Sequence, residues 1–133
     1  MQNKKILGLA DAKKIAEAAE AEAIRNKWLV IIAIVDDGGH LVYLQRLDGA
    51  QFGSIDVAIA KAHAAIAFKR PTKAWEELVN QGHVRYLALP GSLPLEGGLP
   101  LIVDGQIVGA IGVSGVKSNE DAQIAKAGVD ALG

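Results

Sequence analysis

Three histidines are the side chains of this chain best suited to metal or proton chemistry. His63 lies in a strongly apolar segment, His40 in a glycine-rich turn, and His83 directly after a glycine. An imidazole can ligate a metal or transfer a proton near neutral pH. The spacing of the three matches no familiar metal-binding signature. A single histidine is most often an ordinary surface or core-edge residue. Of the three, His63 has the surroundings that most favour a role as a metal ligand.

Two cationic residues also stand out, because each lies in or next to an apolar stretch instead of among other polar residues. Arg46 follows an apolar strand-like run, and Lys61 lies in an apolar helical segment. Arginine captures carboxylates through two parallel hydrogen bonds, and lysine supplies a point charge. Both therefore predict a site for an anionic ligand. The alternative is a structural ion pair, for example between Arg46 and Asp48.

Glycines interrupt the apolar runs of the second half of the chain. Within a strand, each glycine costs roughly 0.5–1 kcal/mol relative to alanine, so a bulge, a packed helix or a bound ligand must lie close to that backbone. The residues concerned are Gly97, Gly98, Gly109, Gly112 and Gly115. Ser114 lies among them, and the nearby N–H groups could hold a carboxylate or phosphate. A serine-hydrolase elbow is disfavoured because glycine directly follows Ser114.

Composition limits the class of protein. The 133 residues predict one domain, 1–133, and 50% hydrophobic residues with a net charge of −1 argue against disorder and against nucleic-acid binding. Cysteine is absent, which excludes disulfides and thiolate metal sites. Neither a signal peptide nor an apolar run of about 18 residues is recognisable. We therefore expect a soluble, cytoplasmic protein without a membrane partner.

The hydrophobic periodicity predicts an α/β (α+β) domain with four helices and two β-hairpins. Asp104-Gly105 is a strong two-residue turn signal. Ser54 and Thr72 are expected to cap helices, and the 83–94 segment is predicted as a loop. The helices are expected at about 9–26, 55–68, 73–81 and from 118 onward, and the strands at 28–35, 40–47 and on either side of Asp104-Gly105.

An ordered set of short motifs spans nearly the whole chain. It comprises Leu9-Ala10-Asp11-Ala12, Val35-Asp36-Asp37-Gly38-Gly39-His40-Leu41, Arg46-Leu47-Asp48-Gly49-Ala50, Lys61-Ala62, Pro71-Thr72, Gly97-Gly98-Leu99-Pro100, the segment 109–115, Asp121, Ile124-Ala125 and Ala127-Gly128. The set resembles the GlcG/HbpS family, which includes heme-binding sensor proteins and is similar to the carboxy-terminal domain of PduO-type corrinoid adenosyltransferases. The resemblance implies a homo-oligomer and a profilin-like three-layer α/β/α sandwich. Its antiparallel sheet would have five strands, the fifth supplied by 83–94.

Two functions agree with these features. The first is binding of heme or another planar anionic cofactor, with a sensing or accessory role, in which His63 ligates the metal and the cations meet the carboxylates. The binding residues predicted for it are Arg46, Lys61, His63, Thr72, Gly97, Gly98, Gly112, Ser114 and Gly115. The alternative is a small enzyme or accessory factor acting on a small organic acid, with Lys61 or His63 as acid–base group and Ser114 near an oxyanion.

The helix predicted at 55–68 generates the first testable prediction. Its charged residues are Asp56 and Lys61, so it is apolar nearly all round and must be covered on more than one side. In a chain this short, a second subunit is the expected cover. We expect light scattering at micromolar concentration to give a dimer or larger. A species of 13.9 kDa, the mass of one chain, would contradict the prediction.

Overall fold

A four-stranded antiparallel sheet in the order β2-β1-β4-β3 lies at the centre of the protein. The computed structural model describes residues 1–132, and Gly133, the last residue of the predicted domain, lies outside them. The strands are β1 (Ile31–Asp36), β2 (Leu41–Arg46), β3 (Gly98–Val103) and β4 (Gln106–Ser114). The helices are α1 (Leu9–Arg25), α2 (Ser54–Ala67), α3 (Lys73–Asn80) and α4 (Ser118–Leu132), with a 3-10 helix at Val84–Ala88. The predicted helices and hairpins are confirmed.

Two hairpins joined through their inner strands make the sheet. The turn between β3 and β4 has positive φ at Asp104 (49°) and Gly105 (77°), which is the geometry that an Asp-Gly pair tolerates. The pairing of β1 with β4, from Ile31 opposite Ser114 to Asp36 opposite Gly109, joins the two hairpins. The two outer strands, β2 and β3, are therefore the edges of the sheet.

The inner strand β1 is buried on both faces, which explains its continuous apolar run. Alternate residues point to opposite sides. Ile32 and Ile34 belong to the large core cluster formed with α1 and α4. Ile31, Ala33 and Val35 instead pack with residues of α2. Helices thus contact both faces of the sheet.

The backbone of α2 is the partner that two of the strand glycines, Gly98 and Gly112, accommodate. A methyl group at Gly112 would lie 2.0 Å from the carbonyl oxygen of Ala58, and one at Gly98 would lie 2.3 Å from that of Lys61. Both distances are far below van der Waals contact. The close approach predicted from these glycines is therefore real, and the structure attributes it to helix packing rather than to a ligand.

Three local expectations need correction. The segment 83–94 contains a 3-10 helix, Val84–Ala88, so the fifth strand is not confirmed and the sheet of the described residues has four. Ser54 is the first residue of α2 rather than its cap, and its Oγ accepts a hydrogen bond from Gln51. Thr72 does occupy the cap position of α3, but its hydroxyl makes no capping bond because it accepts one from Gly98 instead.

The helix α2 has one face against the sheet and one that is only partly covered. Ala58, Ala62 and Ala65 are fully buried, whereas Ile59 is half-buried and His63 exposed. No helix within residues 1–132 has the length and apolarity needed to cross a bilayer. The homo-oligomer expected from the apolar character of this helix stays a prediction.

The contact between α2 and β4 generates the second prediction. Gly112→Ala forces a methyl group into the Ala58 carbonyl, so we expect a loss of about 3 kcal/mol or more, the upper end of the usual overpacking range. Gly53→Ala is the matched control, because Gly53 has helical φ and ψ and nothing lies within 4 Å of the added carbon. It should leave stability unchanged or slightly raised. Denaturant titration measures both, and equal stability of the two variants would contradict the packing role.

Candidate functional site

The predicted site residues fall into two places because α2 turns Lys61 and His63 to opposite sides. Two residues along a helix rotate the side chain by roughly 200°. Lys61 points to the sheet and is 2% exposed, whereas His63 points away from it and is exposed. The two residues therefore cannot face one small ligand.

On the sheet side, Lys61 forms a buried ion pair with Asp121 of α4. Its Nζ lies 3.0 Å from Oδ2 of Asp121 and donates a second hydrogen bond to the carbonyl oxygen of Val113, at 2.9 Å. The other carboxylate oxygen accepts the N–H of Val116. Burial raises the pKa of the Asp121 carboxyl above its ordinary value, and the Lys61 ammonium opposes that rise. The pair connects α2, β4 and α4 at one point.

Most of the predicted binding residues surround this ion pair. Thr72 and Gly98 exchange two hydrogen bonds, because Thr72 Oγ1 accepts the Gly98 N–H and the Gly98 carbonyl accepts the Thr72 N–H, both at 3.0 Å. A methyl group at Gly97 would lie 2.8 Å from Nζ of Lys61, and one at Gly115 would lie 2.5 Å from the Leu29 carbonyl. Ser114 at the end of β4 is buried as well. These contacts hold elements of this chain together, and a ligand-binding role for the group stays a prediction.

Arg46 lies apart from both places. It is exposed at the end of β2, opposite Ile31, and no ion pair with Asp48 is present within residues 1–132. The turn next to His63 is at the other end of this hairpin, and the length of β2 alone separates them by about 17 Å. The structure does not bring Arg46 together with His63.

On its other side, α2 forms one wall of an open pocket of about 310 Å³. Asp56, Ile59, Ala60 and His63 follow the helical spacing of three and four residues that places them on one face. The 91–93 loop forms the facing wall. The lining consists of Asp56, Ile59, Ala60, His63, Gly91, Ser92 and Leu93.

Two glycine backbones lie close to the imidazole of His63. A methyl group at Gly39 would lie 2.9 Å from its Cδ2, and one at Gly91 would lie 3.5 Å from its Cε1. Both glycines have positive φ, 82° and 79°. Neither ring nitrogen accepts or donates a hydrogen bond within residues 1–132. The ring thus lies beside two glycine backbones, and both of its nitrogens are free of hydrogen bonds to the described residues.

The other two histidines have different surroundings. Nδ1 of His40 lies 3.3 Å from Oδ1 of Asp36, which also accepts two backbone N–H bonds of the β1–β2 turn. His83 is exposed immediately before the 3-10 helix. Within the described part of the chain, no three histidine, aspartate or glutamate side chains converge to hold a metal ion.

Sequence reasoning missed the pocket wall and the partner of Lys61. Gly91 to Leu93 belong to a segment without periodicity, so nothing in the sequence relates them to α2. Asp121 follows Ser118-Asn119-Glu120 in a sequence typical of a helix cap, but Glu120 accepts the Lys117 N–H there, whereas Asp121 binds Lys61. The position of Asp56 could have been found, because it is seven residues before His63 on the same helical face.

Comparisons with known proteins agree with this small α+β domain built around one apolar helix. The family model described as "Haem degrading protein HbpS-like" matches residues 7–130, and the chain belongs to this HbpS-like family. Protein GlcG of Escherichia coli strain K12 is 44% identical over 114 residues, which cover 86% of this chain and 85% of GlcG.

Two solved structures have the same fold over almost their full length. A double mutant of HbpS from Streptomyces reticuli superposes with a TM-score of 0.90 at 34% identity, covering 100% of this chain and 91% of that one. The PduOC:heme complex superposes with a TM-score of 0.86 at 27% identity, covering 96% of this chain and 95% of that one. The resemblance to the GlcG/HbpS family is thereby confirmed.

The buried ion pair generates the third prediction. Lys61→Met leaves the Asp121 carboxylate buried without its counter-ion, and we expect a loss of about 3–5 kcal/mol in the free energy of unfolding at pH 7. The folded-state pKa of Asp121 then rises further above the unfolded value. Stability of the variant should therefore be regained at low pH and lost as the pH rises through that folded pKa.

Two variants control this measurement. Lys61→Met combined with Asp121→Leu removes both charges and should recover much of the loss. Lys126→Met breaks the exposed pair with Asp130 and should cost no more than about 0.5 kcal/mol. A Lys61→Met protein as stable as the Lys126→Met protein would show that the buried pair has no structural role.

Proposed function

We propose that this protein binds heme in the pocket beside α2, with His63 as the axial ligand. The observation that carries the proposal is an imidazole that lies beside Gly39 and Gly91, makes no hydrogen bond to the described residues and lines an otherwise largely apolar pocket. Membership of the HbpS-like family and the similarity to a PduOC:heme complex support it.

The residues present meet the general requirements of a heme site. Heme iron needs an axial donor, and the cysteine-free chain offers His63 there. Ile59, Ala60 and Leu93 supply apolar walls for a planar ring. The volume of about 310 Å³ is near the lower end of the ~300–1,000 Å³ typical of small-molecule sites, so this chain would cover one edge of the macrocycle. When bound, heme would supply a redox-active iron.

The same proposal includes three finer properties of this protein: its layer arrangement, its oligomeric state and its biological role. A profilin-like three-layer arrangement is supported by the separate core clusters on the two faces of the sheet. A homo-oligomer is supported by the partly covered face of α2. A sensing or accessory role agrees with a pocket that is open to solvent, since heme could enter and leave without a large rearrangement.

The alternative of an enzyme acting on a small organic acid has less support. It needs Ser114 and either Lys61 or His63 to meet at one ligand. Lys61 and Ser114 are buried, and Lys61 is paired with Asp121, whereas His63 faces the opposite side of α2. Heme binding is therefore the function that the geometry favours.

A heme titration followed at the Soret band tests the proposal. The wild-type protein should give a saturable shift. His63→Ala should change the bound spectrum and weaken affinity at least tenfold, about 1.4 kcal/mol, because the axial ligand is lost. His83→Ala is the matched control, since this exposed histidine does not line the pocket, and it should titrate as wild type. Non-saturating adsorption, or identical behaviour of both variants, would contradict the proposal.

A further inference from the structure

The wall of the His63 pocket that faces α2 belongs to a segment that is weakly attached to the fold. This pocket-wall segment, residues 84–95, contains the 3-10 helix and the 91–93 loop. Within residues 1–132, each of its hydrogen bonds ends on residues 82–95, for example the bond from the Ser92 N–H to the Leu89 carbonyl. None of its residues is buried. Segments with few buried contacts are those that open locally while the rest of a protein stays folded.

An aromatic contact anchors the pocket-wall segment to α3. The ring centroid of the half-buried Tyr86 lies 5.2 Å from that of Trp75. Trp75 is 6% exposed and contacts Phe68, which follows α2, at 5.3 Å between ring centroids. Tyr86 therefore connects the segment, through Trp75, to the helix that forms the opposite wall of the pocket.

Both ends of the segment stay tied to the fold. On one side His83 donates its N–H to the Leu78 carbonyl of α3, and on the other the Gly97 carbonyl accepts the Val113 N–H of β4. Gly82 has a φ of 100° and nothing within 4 Å of an added methyl group, so the chain has room to bend there. Any motion of the segment is thus the outward displacement of a loop with fixed ends.

The closed position leaves two polar groups unsatisfied. Nε1 of Trp75 and Oγ of Ser92 are buried without a hydrogen-bond partner within residues 1–132. One belongs to the anchor and the other to the segment itself. A buried polar group without a partner destabilises the state in which it is buried. Displacement of the segment gives water access to the Ser92 hydroxyl, which offsets part of the packing that is lost.

We propose that the pocket-wall segment is a movable flap, which swings away from α2 and widens the His63 pocket while the rest of the fold stays closed. Packing of Tyr86 against Trp75 holds the flap in its closed position, and Gly82 is one hinge. The open position uncovers the α2 face that carries Ile59 and His63, so the pocket grows beyond about 310 Å³. This motion is a property of the chain without ligand, and it does not depend on heme binding.

Thiol labelling tests the flap, because the chain contains no cysteine of its own. Ser92→Cys places a thiol where the buried hydroxyl stands, so a water-soluble disulfide reagent reaches it when the flap opens. Ser54→Cys is the matched control, since Ser54 of α2 is 1% exposed and lies outside the flap. We expect Ser92→Cys to react about a hundredfold faster or more than Ser54→Cys, at a rate that depends little on urea because local opening exposes little surface.

Variants of the anchor test what holds the flap closed. Tyr86→Ala should accelerate the labelling of Ser92→Cys about tenfold or more and leave that of Ser54→Cys unchanged, because the contact it removes stabilises the closed flap alone. Tyr86→Phe keeps the ring, and Leu87→Ala shortens a side chain of the same 3-10 helix that is 59% exposed. Both should label like the parent Ser92→Cys protein.

The remaining outcomes overturn the flap. If Ser92→Cys reacts as slowly and with as steep a dependence on urea as Ser54→Cys, the segment opens only when the whole fold does. If it reacts as fast as an exposed thiol and Tyr86→Ala changes nothing, the segment has no closed position that Tyr86 stabilises. Labelling is done without heme, so a failed heme titration would leave either result unchanged.

Discussion

The close contact between the backbone of α2 and the glycines of β3 and β4 sets the positions of Lys61 and His63. Helix and sheet normally pack through side chains, but here the carbonyl oxygens of Ala58 and Lys61 reach the strands because Gly112 and Gly98 have no Cβ. At this separation the helix has no freedom to rotate about its axis. Its rotation decides that Lys61 is inside and His63 outside.

The buried ammonium of Lys61 then requires a partner of opposite charge, and α4 supplies it. An ammonium without a counter-ion at this depth would cost several kcal/mol. The carboxylate of Asp121 and the carbonyl of Val113 satisfy it, and Thr72 with Gly98 satisfies the polar groups next to it. The polar residues between the helix and the sheet thus form two neighbouring groups of hydrogen bonds, one around Lys61 and one around Thr72. Replacing a single member leaves a buried group unsatisfied.

Local signals in the sequence were sufficient to predict the helices and strands but not the pocket. Asp104-Gly105 specifies its turn through the φ angles it allows, and the continuous apolar run of β1 follows from burial on both faces. The family resemblance was readable from motifs, yet it also predicted a fifth strand where Val84–Ala88 forms a 3-10 helix. The wall at Gly91 to Leu93 depends on tertiary contacts with α2, which leave no periodicity in the sequence. The partner of Lys61 is 60 residues away, and many carboxylates of the chain could have filled that role.

The imidazole of His63 lies beside the backbones of Gly39 and Gly91. Histidines that ligate metals usually donate their second N–H to a carboxylate or carbonyl, which selects one tautomer and makes the ligating nitrogen more basic. No carboxylate or carbonyl accepts a hydrogen bond from His63 within residues 1–132, so no hydrogen bond of this part of the chain sets the orientation of the ring. A side chain at position 39 would displace the ring, since its Cβ would lie 2.9 Å from Cδ2 of His63. The orientation of this imidazole therefore depends on two segments of the chain that are remote from it in sequence.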